Sequence, residues 1–221
     1  MEVFVPFSAD RPKSRLSTVL TSEERASFAQ AMLRDVLDAV VAAGGQPRIL
    51  ATGEVDSDVP HPVVVDNRPL TTAVNAALGS RSAGGDGETD DRSASPEPVA
   101  VVMADLALAT PEALNGLFEA VETADITIAP GRGGGTNAVV VDHPGFRVDY
   151  HGASYVDHRR IAEEIGASVR VVDSHRLATD VDEPSDLAEL LIHGDGASVR
   201  WLEEAEFTLD TTGGRVGVVR E

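Results

Sequence analysis

Short apolar runs rich in valine and isoleucine alternate along the chain with longer segments of helical spacing, and this alternation restricts the fold more than any other feature. Val3–Pro6 is the first such run, and in the stretch 23–43 that follows, apolar residues recur every three or four positions. Val99–Met103 is apolar throughout, which is typical of a strand covered on both faces. The pattern predicts a three-layer, Rossmann-like α/β domain with a mostly parallel central sheet. Strands are expected at 3–6, 47–51, 63–65, 99–103, 125–129, 138–141 and 169–172, and helices at 23–43, 70–78, from 111 onward, at 154–165 and at 183–191.

Two segments depart from this alternation. Residues 79–98 are rich in glycine, serine and acidic residues and contain nothing that forms a core, so we expect a disordered acidic insertion, with a functional lid as the alternative. Residues 194–221 are rich in turn-forming residues and only partly amphipathic, which leaves open an edge hairpin, a dimer contact or a loose tail. The main domain is therefore predicted to span residues 1–193.

The net charge of −19 restricts the partners of the protein. It opposes nucleic-acid binding, because neutralising phosphates requires basic residues. The acids are spread over the whole chain, and Lys13 is its only lysine. Acid-rich, lysine-poor surfaces are similar to those of salt-in halophilic archaea, although a GC-rich genome that encodes arginine in place of lysine is an alternative. Because salt screens self-repulsion, we expect weak folding at low salt.

Composition also excludes several classes of site. The chain has no cysteine, which rules out disulfides, thiolate metal sites and a cysteine nucleophile. Its longest apolar runs are too short to span a bilayer, so no membrane association is expected. The first residues lack the basic and apolar regions of a signal peptide, and we expect a cytoplasmic protein.

The loop after the first predicted strand carries Arg11, Lys13 and Arg15 within five residues. Ligands of open α/β sheets bind beyond the carboxyl ends of the strands, where this loop is expected. Three cations ahead of a helix suit a triphosphate. The alternative is that they only offset the surrounding acids.

Carboxylates follow two further elements. Asp105 comes just after the buried run Val99–Met103, and a charge at that depth is costly unless it binds something. Mg²⁺ bridging phosphates is one solution, and a capping or turn aspartate is the alternative. Asp180 and Asp182 precede the last predicted helix, where Asp182 either caps that helix or lies beside Asp105 and completes a metal site.

Three other loops carry polar groups with two interpretations each. Asp66, Asn67 and Asn75 have the donors and acceptors to bind a base or ribose, and equally to cap and turn. The triplet Gly133–Gly135 lets backbone amides approach an anion, but spacing alone favours a hairpin turn. The amides of residues 152–154 suit a second phosphate or a carboxylate, whereas the nearby His158 is as easily a packing residue.

Taken in order, these segments resemble the archaeal 2-phospho-L-lactate guanylyltransferases, which belong to a nucleotidyltransferase group with molybdenum-cofactor guanylyltransferase and sugar-nucleotide pyrophosphorylases. The resemblance covers residues 1–193. Two departures are the Asp-Glu-Pro at 182–184, where the family has Asp-Thr-Pro, and Ala107, where it has proline. The matching segments are Pro12–Leu16, Thr21–Arg25, Ala31–Val36, Pro69–Asn75, Ala104–Leu108, Ala129–Asn137, Gly152–Tyr155 with His158, and Asp180–Leu187.

The resemblance implies a Mg²⁺-dependent homodimer that transfers GMP from GTP to 2-phospho-L-lactate. The products would be lactyl-2-diphospho-5′-guanosine and pyrophosphate, in a step toward coenzyme F(420); related bacterial enzymes use phosphoenolpyruvate. A molybdenum-cofactor guanylyltransferase, a glycosyltransferase and a non-catalytic nucleotide-binding module are the alternatives. The implied roles are catalysis for Lys13, Arg15 and Asp105; nucleotide binding for Pro6, Arg11, Lys13, Asp66, Asn67 and Asn75; acceptor binding for Thr136, Asn137, Gly152 and Ser154; and metal binding for Asp105, Asp180 and Asp182.

Overall fold

A computed structural model describes residues 1–10, 12–55, 59–80 and 97–220 of the chain. Most of the predicted insertion at 79–98 therefore lies outside the described residues. Within the described ranges no helix combines the length and the apolar character that crossing a bilayer requires. The elements are β1 Glu2–Phe7, α1 Ser22–Ala42, β2 Gln46–Ala51, β3 Val63–Val65, α2 Leu70–Ser80, β4 Val99–Val102, α3 Pro111–Glu119, β5 Ile126–Pro130, β6 Thr136–Val141, α4 Ser154–Glu164, β7 Val169–Val171, α5 His175–Ala178, α6 Pro184–His193, α7 Ala197–Glu204, β8 Phe207–Asp210 and β9 Gly217–Arg220, with 3₁₀ turns at Ser14–Thr18 and Ala120–Thr123.

The central sheet has seven strands in the order β3-β2-β1-β4-β6-β5-β7. Four neighbouring pairs are parallel, namely β2–β3, β1–β2, β1–β4 and β5–β7. Only β6 among the described strands of this sheet runs against its neighbours β4 and β5. The predicted Rossmann-like α/β fold with a mostly parallel sheet is confirmed, and the parallel pairing of β1 with β4 brings their carboxyl ends to one edge.

The two faces of the sheet carry separate apolar cores. Side chains alternate between the faces of a strand, so Val3 and Val5 of β1 point into one core and Phe4 points into the other. The first core packs against α1, α3, α6 and α7, and the second against α2 and α4. Helices therefore cover both faces, which gives the predicted three layers.

Local signals fix the start of the long helix α1. The hydroxyl of Thr21 accepts a hydrogen bond from the backbone N–H of Glu24, and the Glu24 carboxylate accepts one from the backbone N–H of Thr21. This reciprocal pair satisfies two N–H groups at the helix start. The chain leaves the helix through Gly44, whose φ of 76° lies in the left-handed region.

The segment after residue 193 forms a helix and a hairpin that pack on α1 and α6. Phe28 and Trp201 lie with ring centroids 5.1 Å apart, and the Trp201 indole donates to the Ser27 hydroxyl. The carboxylate of Asp35 accepts from the backbone N–H groups of Ala197 and Ser198, which satisfies the start of α7. The helix α7 and the short helix α5 were not predicted from the sequence pattern. The hairpin β8–β9 is a separate two-stranded sheet, beside the seven-stranded one.

Candidate active site

The loop after β1 brings the only lysine of the chain against two carboxylates. Lys13 has a left-handed backbone (φ 54°, ψ 47°) and directly precedes the 3₁₀ turn at Ser14–Thr18. Its side chain is 10% exposed, and its Nζ donates to Asp105 Oδ2 at 2.8 Å and to Asp182 Oδ1 at 3.2 Å. The ammonium therefore joins the loop after β1, the end of β4 and the approach to α6 at one point.

Arg15 adds a second cation to this cluster. Its guanidinium donates to Asp182 Oδ2 at 2.6 Å, while its own side chain stays 66% exposed. A backbone hydrogen bond from Val181 N–H to the Asp105 carbonyl ties the two acidic segments together. The turn before α6 thus lies beside Asp105, one of the two arrangements that the sequence allows.

The alternative that Asp182 caps α6 is wrong. The helix begins after Glu183, and the Asp186 carboxylate accepts the backbone N–H groups of Asp182 and Glu183. The Arg132 guanidinium in turn donates a hydrogen bond to Asp186 Oδ1 at 3.0 Å. Because Asp186 satisfies the start of the helix, both oxygens of Asp182 face Lys13 and Arg15.

Electrostatics favour the charged form of the buried lysine. Burial by itself would lower the pKa of Lys13, but the charges and hydrogen bonds of Asp105 and Asp182 outweigh it and raise the pKa above its ordinary value of 10.5. Two cations thus balance two carboxylates in the cluster. Such a group can bind polyanions and a divalent cation together, since each partner compensates the other's charge.

A cavity of about 390 Å³ opens directly beside this cluster. Its volume is within the range of small-molecule sites, and its floor is mainly apolar with a few convergent polar groups. The polar lining is Lys13, Asp105, Asp182, Asp66, Arg68, Ser8 and Thr52, and the apolar lining includes Pro6, Met32, Leu50, Leu70, Ala73 and Met103.

Asp66 lines the cavity just after β3, which lies two strands away from β1 in the sheet. Arg68 holds it through the guanidinium and the backbone N–H, the latter at 3.0 Å. The hydrogen bonds from Arg68 lower the pKa of Asp66 to about 2. Asp66 is therefore a fixed, ionised acceptor at neutral pH.

A second cluster, formed by Thr136, Ser154 and His158, lies below the surface around the start of β6. Thr136 donates its backbone N–H to Ser154 Oγ at 2.9 Å, and its hydroxyl lies 2.8 Å from His158 Nδ1. His158 Nε2 accepts from the backbone N–H of Asp149 at 2.8 Å, so the ring proton is on Nδ1. Burial lowers the pKa of His158 to about 4. His158 is a neutral anchor of this network, in line with the packing role left open by the sequence.

The glycine-rich segment between β5 and β6 is a hairpin turn, the arrangement that its spacing favours. Gly131 and Gly135 are joined by a backbone hydrogen bond of 2.9 Å, and Gly134 has a φ of 85°. A Cβ at Gly131 would collide with the Asn137 side chain. That side chain donates to the Leu177 carbonyl at 3.0 Å and to Asp180 Oδ1 at 3.3 Å, so it fastens the hairpin to α5 and to the turn after it.

A model of the family described as "Guanylyl transferase CofC like" matches residues 1–220. The chain belongs to this CofC-like guanylyltransferase family. Among its relatives is the 2-phospho-L-lactate guanylyltransferase of Halorubrum lacusprofundi, which is 68% identical over 226 residues and is matched over 100% of both chains. The 2-phospho-L-lactate guanylyltransferase of Haloterrigena turkmenica is 56% identical over 232 residues, covering 100% of this chain and 97% of its own. The resemblance found in the sequence is confirmed.

Solved structures confirm the fold of this CofC-like chain. A protein from Desulfovibrio desulfuricans G20, whose proposed class is nucleotide-diphospho-sugar transferase, superimposes with a TM-score of 0.73 at 15% identity, over 92% of this chain and 94% of that one. Identity this low shows the fold alone.

The CofC-like chain brings some of the predicted site residues together and separates others. Pro6, Lys13, Asp66, Asp105 and Asp182 line one cavity, and Arg15 reaches it through Asp182. Arg11 lies outside the described residues. The predicted residues that do not line the cavity are Asn67, Asn75, Thr136, Asn137, Gly152, Ser154 and Asp180.

Several of the residues outside the cavity have structural partners in the CofC-like chain. Both polar groups of the Asn75 amide bond the Val148 backbone at 2.9 Å. Thr136, Asn137 and Ser154 are buried: Thr136 donates its backbone N–H to Ser154, and Asn137 donates to Leu177 and Asp180. Gly152 is exposed with a φ of 54°. Sequence reasoning missed Arg68 and Asp186, which orient the proposed ligands; Arg68 stands two positions after Asp66, and Asp186 at the third position of α6, a typical capping position.

Proposed function

We propose that this chain transfers GMP from GTP to 2-phospho-L-lactate, giving lactyl-2-diphospho-5′-guanosine and pyrophosphate in a step toward coenzyme F(420). One observation carries the proposal. A buried ammonium and two carboxylates converge beside a nucleotide-sized cavity at the carboxyl ends of β1 and β4, in a chain 68% identical to a 2-phospho-L-lactate guanylyltransferase over its full length.

Asp105 and Asp182 suit a divalent cation of the Mg²⁺ type. Their side chains are 29% and 31% exposed, so their oxygens are open toward the cavity, and Mg²⁺ prefers one or two carboxylates with phosphate oxygens and water. A Mycobacterium tuberculosis protein solved in complex with manganese shares the fold, with a TM-score of 0.52 at 18% identity over 86% of this chain and 98% of that one. When bound, Mg²⁺ would offset charge on the phosphates.

Lys13 and Arg15 bind the triphosphate in this proposal. A phosphate oxygen of the acceptor attacks the α-phosphorus of GTP, the bond from that phosphorus to the oxygen that bridges it to the β-phosphate breaks, and pyrophosphate leaves with the bonding electrons. The attacking oxygen is already anionic, so no strong general base is needed. The contribution of the chain is to align two anions and to compensate the charge that builds up on the leaving group.

The nucleoside end of GTP fits the opposite part of the cavity. Leu50, Leu70 and Ala73 give an apolar wall for the base, and Asp66 is an ionised acceptor for N–H or hydroxyl donors. We assign the acceptor side to the loops that Thr136, Asn137, Gly152 and Ser154 hold. Since three of these side chains are buried, they act by positioning the loops.

Pyrophosphate release in molar KCl with Mg²⁺ tests the proposal. Each nucleoside triphosphate is offered with 2-phospho-L-lactate and, separately, with phosphoenolpyruvate. Release that requires both GTP and 2-phospho-L-lactate supports the assignment. Release only with phosphoenolpyruvate reassigns the acceptor, and GTP binding without release under any pairing contradicts an enzymatic role. The homodimer and the cytoplasmic location stay predictions, and light scattering in the same buffer tests the first.

A further inference from the structure

A second ligand cluster lies on the surface of α5 and α6 and is not used by the proposed reaction. His175 begins α5, and Glu189 and His193 lie one turn apart on α6. Their ligand atoms all lie within 4.8 Å of one another, and Glu189 Oε2 is 3.6 Å from the Nε2 atoms of both histidines. The two imidazole planes are nearly perpendicular, at 86°.

From this geometry we infer that His175, Glu189 and His193 form a binding site for a divalent transition-metal ion of the Zn²⁺ type. Two imidazoles and a carboxylate are ligands that Zn²⁺ favours, whereas Mg²⁺ selects oxygen ligands. Ligand atoms around tetrahedral zinc lie about 3.3 Å apart when the bonds are about 2.0–2.1 Å long. The two 3.6 Å distances are close to that value, and the side chains are exposed enough to adjust.

The hydrogen bonds behind His175 prepare its Nε2 atom for a cation. The Thr179 hydroxyl donates to the His175 carbonyl at 3.0 Å, so its oxygen is left to accept from His175 Nδ1, which lies 3.5 Å away. With the ring proton on Nδ1, the lone pair of Nε2 faces the carboxylate of Glu189. In this tautomer the two electron-rich atoms repel each other, and a cation between them, either a metal ion or a proton, removes the repulsion. Partners of this kind behind a histidine ligand are typical of metal sites.

The ion would link α5 and α6, the two helices that flank the turn at 179–183. This turn carries Asp182, and α5 receives the hydrogen bonds that fasten the glycine hairpin, from Asn137 to Leu177 and from the Arg132 backbone to Ala178. The ion would therefore hold α5 and α6 together on either side of Asp182, which lines the cavity. Its existence does not depend on the identity of the reaction.

Calorimetric titration of Zn²⁺ into chelator-treated, full-length protein tests the site, with excess Mg²⁺ present to occupy Asp105 and Asp182. We expect one Zn²⁺ per chain, and at least about 100-fold weaker binding after His175→Ala or His193→Ala, since loss of a ligand costs at least as much as loss of the group behind it. The matched control is His151→Ala, which removes an exposed imidazole that pairs with a single carboxylate, Asp149. It should bind Zn²⁺ like the parent.

Thermal unfolding gives an independent reading. Zn²⁺ should raise the unfolding temperature of the parent and of His151→Ala but not of the two ligand variants, because binding to the native state alone stabilises it. Both ligand histidines are largely exposed, so their loss should leave the circular dichroism spectrum unchanged. Absence of saturable binding to the parent, or equal affinity in His193→Ala, would overturn the site and leave a proton as the shared cation.

Discussion

The Lys13 cluster and the His158 network are both built from polar side chains, yet they differ in charge and access. Lys13 forms ion pairs with Asp105 and Asp182, and the two carboxylates open onto a cavity. His158 is fully buried and neutral and has a hydrogen-bond partner on each ring nitrogen. The first arrangement keeps charges ready to exchange partners with a ligand, and the second fixes loops. The comparison teaches that conspicuous polar residues in one chain can divide between chemistry and support.

Of the substitutions that test this comparison, removal of the Lys13 ammonium should have the largest effect on activity. We expect Lys13→Ala to lower kcat/KM for GTP by roughly 1000-fold, because a charge directed at the transferring phosphate is lost. Steady-state pyrophosphate release measures it, with circular dichroism as the check on folding. Arg160→Ala, which removes an exposed cation on α4, is the control and should keep parental activity. Parental turnover by Lys13→Ala would remove this lysine from the mechanism.

The buried His158 should make the free energy of unfolding depend on pH. The pKa of His158 is about 4 in the folded chain and 6.5 ordinarily, so above pH 6.5 the group contributes no pH dependence. As the pH falls from 6.5 toward 4, the unfolded chain takes up a proton that the folded chain excludes, and the free energy of unfolding drops by up to about 3 kcal/mol.

Urea unfolding of the parent and of His158→Gln between pH 7 and 5 measures this slope. His158→Gln should be less stable at pH 7 but should lose less stability on acidification. Equal slopes in the parent and His158→Gln would show that the buried imidazole is not the titrating group.

Substitutions of Asp180 and Asp182, the two aspartates near the turn before α6, should have clearly different effects on turnover. Asp182 contacts Lys13 and Arg15, whereas Asp180 contacts the Asn137 amide and does not line the cavity. We expect Asp182→Asn to lower turnover by roughly 100-fold and to raise the Mg²⁺ concentration required, since the proposed metal ligand would be weakened. Asp180→Asn should cost a few-fold at most, and the reverse ranking would move the metal site to Asp180.

The smallest expected effect concerns the glycine hairpin. Gly131→Ala should cost about 1–2 kcal/mol of stability, because its Cβ overlaps the Asn137 side chain and forces a shift. Gly133→Ala is the matched control, since nothing lies within 4 Å of the Cβ it would add. Chemical unfolding of both variants measures the difference in stability. Equal unfolding midpoints for the two variants would mean that the hairpin accommodates the added methyl group without a cost in stability.

Much of the fold follows from local signals. The valine-rich strands are evident in the sequence, and the helices expected at 23–43 and from 111 onward begin in the structure at Ser22 and Pro111. The helix α7 escaped prediction because Asp35, 162 residues earlier, supplies the acceptor for its first N–H groups. No pattern within residues 194–221 contains that partner.

The site was predictable in part for a related reason. Strand ends pointed to Lys13 and Asp105, because parallel strands share one ligand-binding edge. Asp182 was a candidate through its place in the turn before the last predicted helix. Nothing local distinguishes Asn75 as a group that binds the Val148 backbone, or Ser154 as one that binds the Thr136 backbone, since these contacts depend on how distant loops meet. The chemical type of a polar residue indicates which interactions it is able to make. The tertiary structure determines the partner with which it makes them.

The concentration of cations in one cleft also has a consequence for encounter kinetics. A chain with a net charge of −19 is expected to repel GTP and a phosphorylated acid at long range, while in the proposed site Lys13 and Arg15 would attract phosphates only at close range. High salt reduces the range of the long-range repulsion to a few ångströms. The same salt screens a buried contact such as that of Lys13 much less. We therefore expect the association rate with GTP to rise with ionic strength, the reverse of the behaviour of an electrostatically steered enzyme.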